Sequence, residues 1–431
     1  MTAHDAVSPF FSLPLELREK IYRDILSSPS QRPDILRTCR ELHHEARKFL
    51  YQRPLIFRNQ VRLFDWLHST PIRFLAQVTE ISLGIQDVDL NTILDAEEPV
   101  DNVGSSAYLQ TWHLYDAELE RMKQCLIKLP NIRTLTVRTS SNQQSFLYRD
   151  FTTAVLELLV SSYPGLLDLR LEGDLHHQDL TFLSRLQSLE SFAFDGFSSS
   201  SPSKTASILA ALTNLRNLSL TSQHAILTPV TRCHSLFTEK RPSFTSDVVR
   251  TMNQLASFAV TEMVPTSSPT LFFTTEILTS LHNHSTLTSL SVRLSHAPDN
   301  EVLEALENFL ERSNTRRLEL DWPDLDPVVL ERFGLLADKL NCLWVRAKSE
   351  ADAFDILWSV AESLEAGDIR ELRKIVLLRS YAICVDVLSK ACERKDSGTE
   401  ALDGLICPVG PVYATCDIKE QESLSLLRGG S

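Results

Sequence analysis

The feature that most constrains the fold is a short apolar pattern that recurs ten times along the 431-residue chain. The pattern has the form L-x-x-L-x-L, in which other large apolar residues can replace leucine. Its last two positions are two residues apart, which places both side chains on one face of a β-strand. The copies begin at Val78, Ile132, Leu166, Leu189, Leu215, Leu255, Leu287, Thr315, Leu340 and Leu372, with those at Thr315 and Leu372 the weakest. Each copy predicts one short strand with a buried side.

The stretches between the copies have helical periodicity. One apolar stripe comprises Leu119, Met122, Cys125, Leu126 and Leu129, and another comprises Val302, Leu303, Leu306, Phe309 and Leu310. Strands that alternate with helices predict a parallel sheet with crossover helices on one side. A single strand and helix cannot bury their own apolar faces, so the units are expected to stack into a continuous core.

The repeat resembles an irregular leucine-rich repeat. Its copies are about 33 residues apart on average and vary from 23 to 54, whereas roughly 20–29 is usual for such repeats. The asparagine that commonly follows the last leucine is absent from every copy. We therefore predict an α/β solenoid over residues 78–395, with parallel strands on its concave side. Polar insertions are expected at residues 87–107, 222–244 and 264–271, and a C-terminal cap or tail at 396–431.

The N-terminal residues have a different pattern. Residues 9–55 predict a short all-α module, joined to the solenoid by a helical linker at 56–77. Apolar residues recur every four positions at Leu13, Leu17, Ile21 and Ile25, which indicates one face of a helix. A second helical stripe comprises Ile35, Cys39, Leu42, Ala46, Phe49 and Leu50.

This module resembles an F-box, in the form common among filamentous fungi. The family begins with Leu-Pro-x-Glu-Leu, continues as an apolar helix, and turns through a leucine-rich segment into Cys-Arg. The corresponding residues here are Leu13-Pro14-Leu15-Glu16-Leu17, Ile21 to Leu26, Asp34-Ile35-Leu36 and Cys39-Arg40. The chain departs from the family in its shorter connection between the helices, and in having Leu42 or His43 where a tryptophan is common.

The resemblance implies that the chain is the substrate-recognition subunit of a Skp–cullin–F-box type ubiquitin ligase. Its partners would then be a Skp-type adaptor and a cullin, together with an unknown protein substrate held by the solenoid. The implied adaptor-binding residues are Leu13, Pro14, Leu17, Ile21 and Ile25. The alternative is a scaffold with no role in ubiquitin transfer, whose N-terminal helices only close the apolar end of the solenoid, as terminal repeats must.

Charge and cysteine content indicate which partners and which cellular compartment to expect. The net charge of −13 argues against nucleic acid as a partner, although residues 1–75 hold 12 basic against 8 acidic residues. The eight cysteines are scattered, with none at C-x-x-C spacing, which favours a reducing compartment. No secretory leader is recognised at the N-terminus, and no apolar run reaches the length of about 18 residues that suggests a membrane span. The expected location is the cytoplasm or nucleus, without membrane contact.

No catalytic motif is recognisable. The chain has no G-x-x-x-x-G-K, G-x-G-x-x-G or G-x-S-x-G sequence, so we predict neither an enzyme nor a bound cofactor. Adjacent histidines on a helix point about 100° apart and chelate one ion poorly. We therefore interpret His43-His44-Glu45 and His176-His177 as solvated surface and predict no metal site. The carboxylates Asp321, Asp324 and Asp326 are interpreted as turn residues around Trp322-Pro323.

The residues that alternate with the buried template positions predict the binding face. In the middle copies these residues are small, as at Ser191, Ala193, Ser289 and Ser291. Charged or aromatic residues lie towards both ends, and we predict substrate binding by Arg138, Arg170, Glu172, Arg317, Glu319, Trp344 and Arg346. Trp344 is the suggested anchor, because interfaces are enriched in tryptophan and arginine. Burial of Trp344 beneath residues 396–431 is the open alternative.

Overall fold

The computed structural model describes residues 9–26, 33–88, 103–139, 146–173, 175, 178–197, 204–223, 244–263, 272–323, 325–347, 349–366, 369, 371–379 and 413–415. The chain divides into two compact units, Met1–Leu189 and Glu190–Ser431. The predicted insertions at 222–244 and 264–271 lie almost wholly outside the described residues. The end of the first predicted insertion, residues 103–107, belongs to a helix.

The first unit contains, among the described residues, six α-helices and the first four strands. Its helices are α1 (Leu15–Leu26), α2 (Arg40–Leu50), α3 (Gln60–Ser69), α4 (Ile72–Leu75), α5 (Val103–Leu126) and α6 (Phe146–Ser162), with 3₁₀ turns at Pro9–Ser12, Pro33–Arg37 and Thr181–Arg185. Its strands are β1 (Leu55–Phe57), β2 (Glu80–Ile85), β3 (Thr134–Thr139) and β4 (Asp168–Glu172). The four strands pair in parallel and in chain order.

The second unit continues the same alternation. Its strands are β5 (Ser191–Phe197), β6 (Asn217–Gln223), β7 (Ser257–Met263), β8 (Ser289–Leu294), β9 (Arg317–Asp321), β10 (Cys342–Ala347), β11 (Lys374–Arg379) and β12 (Tyr413–Thr415). Its helices are α7 (Thr205–Ala210), α8 (Ser246–Thr251), α9 (Thr275–Leu281), α10 (Asn300–Arg312), α11 (Pro327–Arg332) and α12 (Glu350–Ala366). Strands β5 to β11 are parallel in chain order, and β12 is antiparallel to β11. The predicted α/β class with parallel strands is confirmed.

The template residues form the core of both units. Every template residue of the ten copies is buried, with Leu372 the most exposed at 7%. The last two positions of each copy lie in one of the strands β2 to β11. The helical stripe at Val302, Leu303, Leu306, Phe309 and Leu310 is buried on α10 as predicted.

Main-chain carbonyls connect the starts of successive strands. The Arg316 carbonyl accepts hydrogen bonds from the amides of Asn341 and Cys342, at 2.7 and 3.0 Å. The same two-fold acceptance recurs at the carbonyls of Thr79, Arg133, Glu190, Arg216, Ala256, Thr288 and Asn341. Each of these carbonyls lies at or just before the start of a strand and binds the start of the next strand. These backbone hydrogen bonds therefore align the starts of successive strands.

Two features of the fold differ from the sequence interpretation. Strand β1 pairs with β2 ahead of the first recognised copy, because Gln52 occupies the position of the first template leucine and conceals the pattern. Asp321 is the last residue of β9 rather than part of a turn, and Trp322 behind it is 1% exposed. Asp326 does have a terminal role, since its carboxylate accepts the Val329 amide at the start of α11. Asp324 lies outside the described residues.

His284 gives the second unit a predicted sensitivity to acid. It follows α9, is 4% exposed, and burial lowers the pKa of its ring below the usual value, while the carbonyls of Val249 and Met252 act in the opposite direction. Because the unfolded chain takes up the proton first, stability is complete above about pH 6.5 and falls as the pH drops below it. The free energy of unfolding should fall by up to about 1.4 kcal/mol per pH unit in that window.

Urea denaturation of the native protein and of His284→Leu, at about pH 7.5 and about pH 5.5, measures this effect on either side of the histidine pKa. The variant should lose the part of the pH dependence that His284 contributes. The exposed His44→Asn change is the matched control and should leave the pH dependence intact. Equal pH dependence in the native protein and His284→Leu would contradict this assignment.

Candidate functional site

The residues between the template positions form three rows across the second unit. We call this surface the open face. The middle row runs through Ala193, Ser219, Ala259, Ser291, Glu319, Trp344 and Val376, which are paired in register from β5 to β11. The row below it contains Ser289, Arg317, Cys342 and Lys374, and the row above it contains Arg293, Asp321, Arg346 and Leu378. The face carries small or hydroxyl side chains along most of β5 to β7, with Asp195 as a charged exception, and has several charged residues along β8 to β10.

Two ion pairs organise the charged part of the open face. Nε of Arg293 donates to Oε1 of Glu319 at 2.7 Å, and a second guanidinium nitrogen contacts the same oxygen. Nε of Arg346 lies 3.0 Å from Oδ1 of Asp321. Burial raises the pKa of the Asp321 carboxyl, while Arg346 and Arg293 act in the opposite direction and Glu319 adds to the rise. The two arginines thus hold both carboxylates of this patch.

Arg317 and Trp344 form the third contact of the patch. The guanidinium carbon of Arg317 lies 4.5 Å from the centroid of the Trp344 ring, a cation–π arrangement. The indole nitrogen of Trp344 donates to Sγ of Cys342 at 2.9 Å. Arg317 is exposed and Trp344 is half-buried. The tryptophan therefore retains accessible surface beside a solvent-exposed cation.

The structure places the predicted substrate-binding residues of the second unit on one patch, but they differ in their exposure to solvent. Arg317 is exposed, Arg346 and Trp344 are half-buried, and Glu319 is only 5% exposed. Sequence reasoning missed Arg293, which holds Glu319 in place. The alternation of Leu290 and Val292 continues one step to Arg293, so extending the motif by one residue would have identified it.

The predicted residues of the first unit lie on β3 and β4. Nε of Arg138 donates to Oε2 of Glu172 at 2.8 Å between paired positions of the two strands. Arg170 is exposed and lies 3.7 Å from Oδ1 of Asp168. Because both ion pairs are largely open to solvent, they contribute little to stability. This patch belongs to a different unit from the Arg317–Trp344 patch.

The predicted adaptor-binding residues extend from just before α1 to near its end. Leu17 is 50% exposed, Pro14 is exposed, and Leu13, Ile21 and Ile25 are half-buried. Leu15, which sequence reasoning placed in the motif but not in the site, is 45% exposed. Three apolar residues, Pro14, Leu15 and Leu17, are therefore exposed at the N-terminal end of α1, and we call them the exposed strip.

The N-terminal helices have a core of their own. The fully buried members of this cluster are Tyr22, Leu26, Leu36, Leu42, Ala46 and Phe49. The Tyr22 hydroxyl donates to Glu45 at 2.8 Å, and Glu45 pairs with Arg18 at 3.0 Å. Burial, and then the bond to Glu45, raise the pKa of the Tyr22 hydroxyl well above its usual value. This polar contact fixes α1 against α2.

An aromatic group connects these helices to the first repeat. The Tyr51 ring stacks on Phe74 of α4 with centroids 4.7 Å apart and approaches Trp66 of α3 at 6.4 Å. The Arg47 guanidinium lies 5.0 Å from the Phe74 centroid. The end of α2 is therefore packed against the helices that precede β2.

A cavity of about 450 Å³ lies beside α11 and α12. Its lining includes the carboxylates Glu331 and Glu362. Glu331 accepts a hydrogen bond from the Ser359 hydroxyl and Glu362 accepts one from the Trp358 indole, each at 2.7 Å.

Among the residues that the structure describes, no group of three or more His, Cys, Asp or Glu side chains could hold a metal ion. His43 and His44 are exposed as predicted, and His176 and His177 lie outside the described residues. No helix in the described part of the chain is long and apolar enough to cross a membrane.

Comparisons with known proteins add little detail. No protein-family profile matches the chain, and no curated protein matches it. A Bacteroides fragilis protein of known structure aligns with 12% identity and a TM-score of 0.31 over 62% of this chain, which spans only 64% of that protein. A leucine-rich-repeat protein of Leptospira interrogans aligns with 12% identity and a TM-score of 0.23, over 88% of this chain and 98% of its own length.

The class of protein therefore follows from the chain itself. Ten L-x-x-L-x-L copies, each ending in a parallel strand and separated mainly by helices, define a leucine-rich-repeat-type α/β scaffold.

Proposed function

We propose that this scaffold is the substrate-recognition subunit of a Skp–cullin–F-box type ubiquitin ligase. The N-terminal helices bind a Skp-type adaptor, and the repeat region binds a protein target. The chain supplies no catalytic group, since its contribution is to hold the target near a ubiquitin-loaded partner, and proximity alone accelerates a bimolecular step strongly.

The exposed apolar strip on α1 is the observation that carries this proposal. Leu15 and Leu17 are about half exposed, although the module they belong to already has a complete core built around Tyr22 and Phe49. A helix whose only role is to close the solenoid gains nothing from leucines in solvent. Large apolar side chains left in solvent at one end of a helix are an indication of a protein-binding site, and these residues lie within the Leu-Pro-x-Glu-Leu segment that resembles the F-box.

One observation favours the alternative of a capping role. The contact of Tyr51 with Phe74 attaches α2 firmly to the first repeat, as a terminal cap requires. That contact lies at the end of α2, and the exposed leucines lie at the start of α1. The two surfaces are distinct, so a docking role and a capping role can be tested separately.

The test is a pull-down of purified Skp-type adaptor by the full chain. Replacing Pro14 and Leu17 together by alanine should weaken capture at least about 30-fold, because exposed apolar anchors commonly contribute about 2 kcal/mol or more to binding. Ile72→Ala is the matched control, since Ile72 is 79% exposed in the same unit but outside the strip. It should bind like the native protein.

Thermal unfolding of the same variants separates the two roles. Pro14 and Leu17 are exposed, so their replacement should leave the unfolding midpoint nearly unchanged. No adaptor binding by the native chain, together with a lower midpoint in the double variant, would favour the capping scaffold.

A further inference from the structure

The accessible groups of the open face along β8 to β10 are mainly cationic and aromatic. The side chains of Arg293 and Arg346 are 38% and 32% exposed, whereas those of their partners Glu319 and Asp321 are 7% and 21% exposed. Arg317 is exposed as a whole residue. A partner that approaches this surface therefore meets guanidinium groups before it meets carboxylates.

The carboxylates of this patch are already neutralised from within. Glu319 accepts from Arg293, and Asp321 pairs with Arg346. Arg317 pairs with no carboxylate among the described residues, and instead lies over the face of Trp344. The ring contact engages the charge of the guanidinium and pairs none of its N–H donors with a carboxylate. Two of these donors can bind one carboxylate through parallel hydrogen bonds.

The residues on either side of β8 to β10 limit the extent of this charged patch. Towards β11, the open-face residues Val376 and Leu378 are 0% and 5% exposed, and of the open-face residues of that strand only Lys374, which is half-buried, keeps accessible surface. Towards β7, the row continues through the small residues Ala259 and Ser291. The part formed by β8 to β10 is three strands wide, which is about 10 Å at the usual spacing of strands. A single extended segment of a partner covers such a width.

We propose that the open face of β8 to β10 binds an acidic segment of a partner protein through carboxylates that pair with Arg317 and Arg346, beside the Trp344 ring. The inference deepens the proposed function by assigning a chemistry to the target. It rests on the proposed function only in taking the bound segment to belong to a target of the ubiquitin ligase. A net charge of −13 opposes acidic ligands over most of the molecule. Binding must therefore depend on this local surface.

Fluorescence anisotropy of the full chain with a labelled peptide of alternating glutamate and glycine tests the proposal. A peptide of about ten residues spans roughly 30 Å when extended, which exceeds the patch. We expect binding that weakens with added salt and is absent for the matching glutamine–glycine peptide. Arg317→Gln should weaken binding about ten-fold, as expected for the loss of a charge-assisted hydrogen bond.

Arg316→Gln is the matched control, because it removes the same charge from the neighbouring exposed residue. Binding of the glutamate peptide should then stay within a factor of about two, since Arg316 precedes β9 and is not one of the open-face residues, and an exposed charge outside the contact contributes little. Equal weakening by Arg316→Gln and Arg317→Gln would show unspecific attraction and overturn the proposal. Lack of binding by the glutamate peptide would also overturn it, and binding only by a phosphoserine–glycine peptide would assign the face to a phosphorylated partner.

The result of the peptide-binding experiment does not depend on whether the chain binds the adaptor. Arg317 and Arg316 lie in the second unit, and the exposed strip of α1 lies in the first. A chain that captures the adaptor but not the glutamate peptide retains the proposed function and loses this inference. A chain that binds the peptide but not the adaptor retains the inference as a property of the scaffold alone.

Discussion

Replacing Leu290 by alanine should lower the free energy of unfolding by about 2–5 kcal/mol, because the change leaves a cavity in a close-packed core. Leu290 is 0% exposed on β8 and is paired in register with Phe258 on β7 and Leu318 on β9. Urea denaturation followed by circular dichroism measures the loss. Few of its neighbours can move into the space, since they are template residues of adjacent repeats.

The control for this change is the next residue along the same strand. Ser291 lies on the open face and is half-buried, so Ser291→Ala should alter the free energy of unfolding by less than about 0.5 kcal/mol, as surface changes usually do. Similar effects of Leu290→Ala and Ser291→Ala would mean that the two faces of β8 are equally loosely packed. That result would contradict the assignment of the core to the template side.

Replacing Glu262 by alanine should be comparably destabilising, at about 2–5 kcal/mol, because it removes a buried acceptor from two amides at once. Glu262 lies on β7 and is 0% exposed, and its Oε1 accepts from the amides of Phe272 and Phe273 at 2.7 and 2.8 Å. The side chain thereby holds the start of the segment that leads into α9. Chemical denaturation of the purified variant provides the measurement.

Glu262→Gln provides the graded comparison, since glutamine keeps an oxygen acceptor of the same reach but without the charge. Its effect should be smaller than that of Glu262→Ala. Glu304→Ala serves as the control, since Glu304 is exposed on α10. A cost for Glu262→Ala no larger than that for Glu304→Ala would show that Phe272 and Phe273 do not depend on this carboxylate.

The strands could be predicted from the sequence because every template position is determined by burial. A residue such as Leu343 has to be large and apolar to fill its place between neighbouring repeats. Strand β1 escaped prediction because its template begins with Gln52, near the N-terminal helices, where a repeat has no complete neighbour to pack against. The pattern weakens at the end of an array for that physical reason.

The charged patch could be predicted only in part. Alternation along a strand specifies that Arg317, Glu319 and Trp344 share one face. It does not specify the neighbours of each side chain on the adjacent strands, which depend on the register between repeats. Glu319 was therefore grouped with the contact residues, although Arg293 from β8 binds its carboxylate. The buried role of Glu262 was missed for the same reason, because its partners are amides of a later segment.

The series of doubly accepting carbonyls has a consequence for how such a chain can change over generations. The residues that contribute these carbonyls include threonine, arginine, glutamate, alanine and asparagine, because the peptide group and not the side chain makes the connection. Substitutions at the start of each strand can therefore alter the charge along that edge while the strands stay aligned. Related proteins can therefore acquire new binding preferences at this edge while the alignment of their successive strands is preserved.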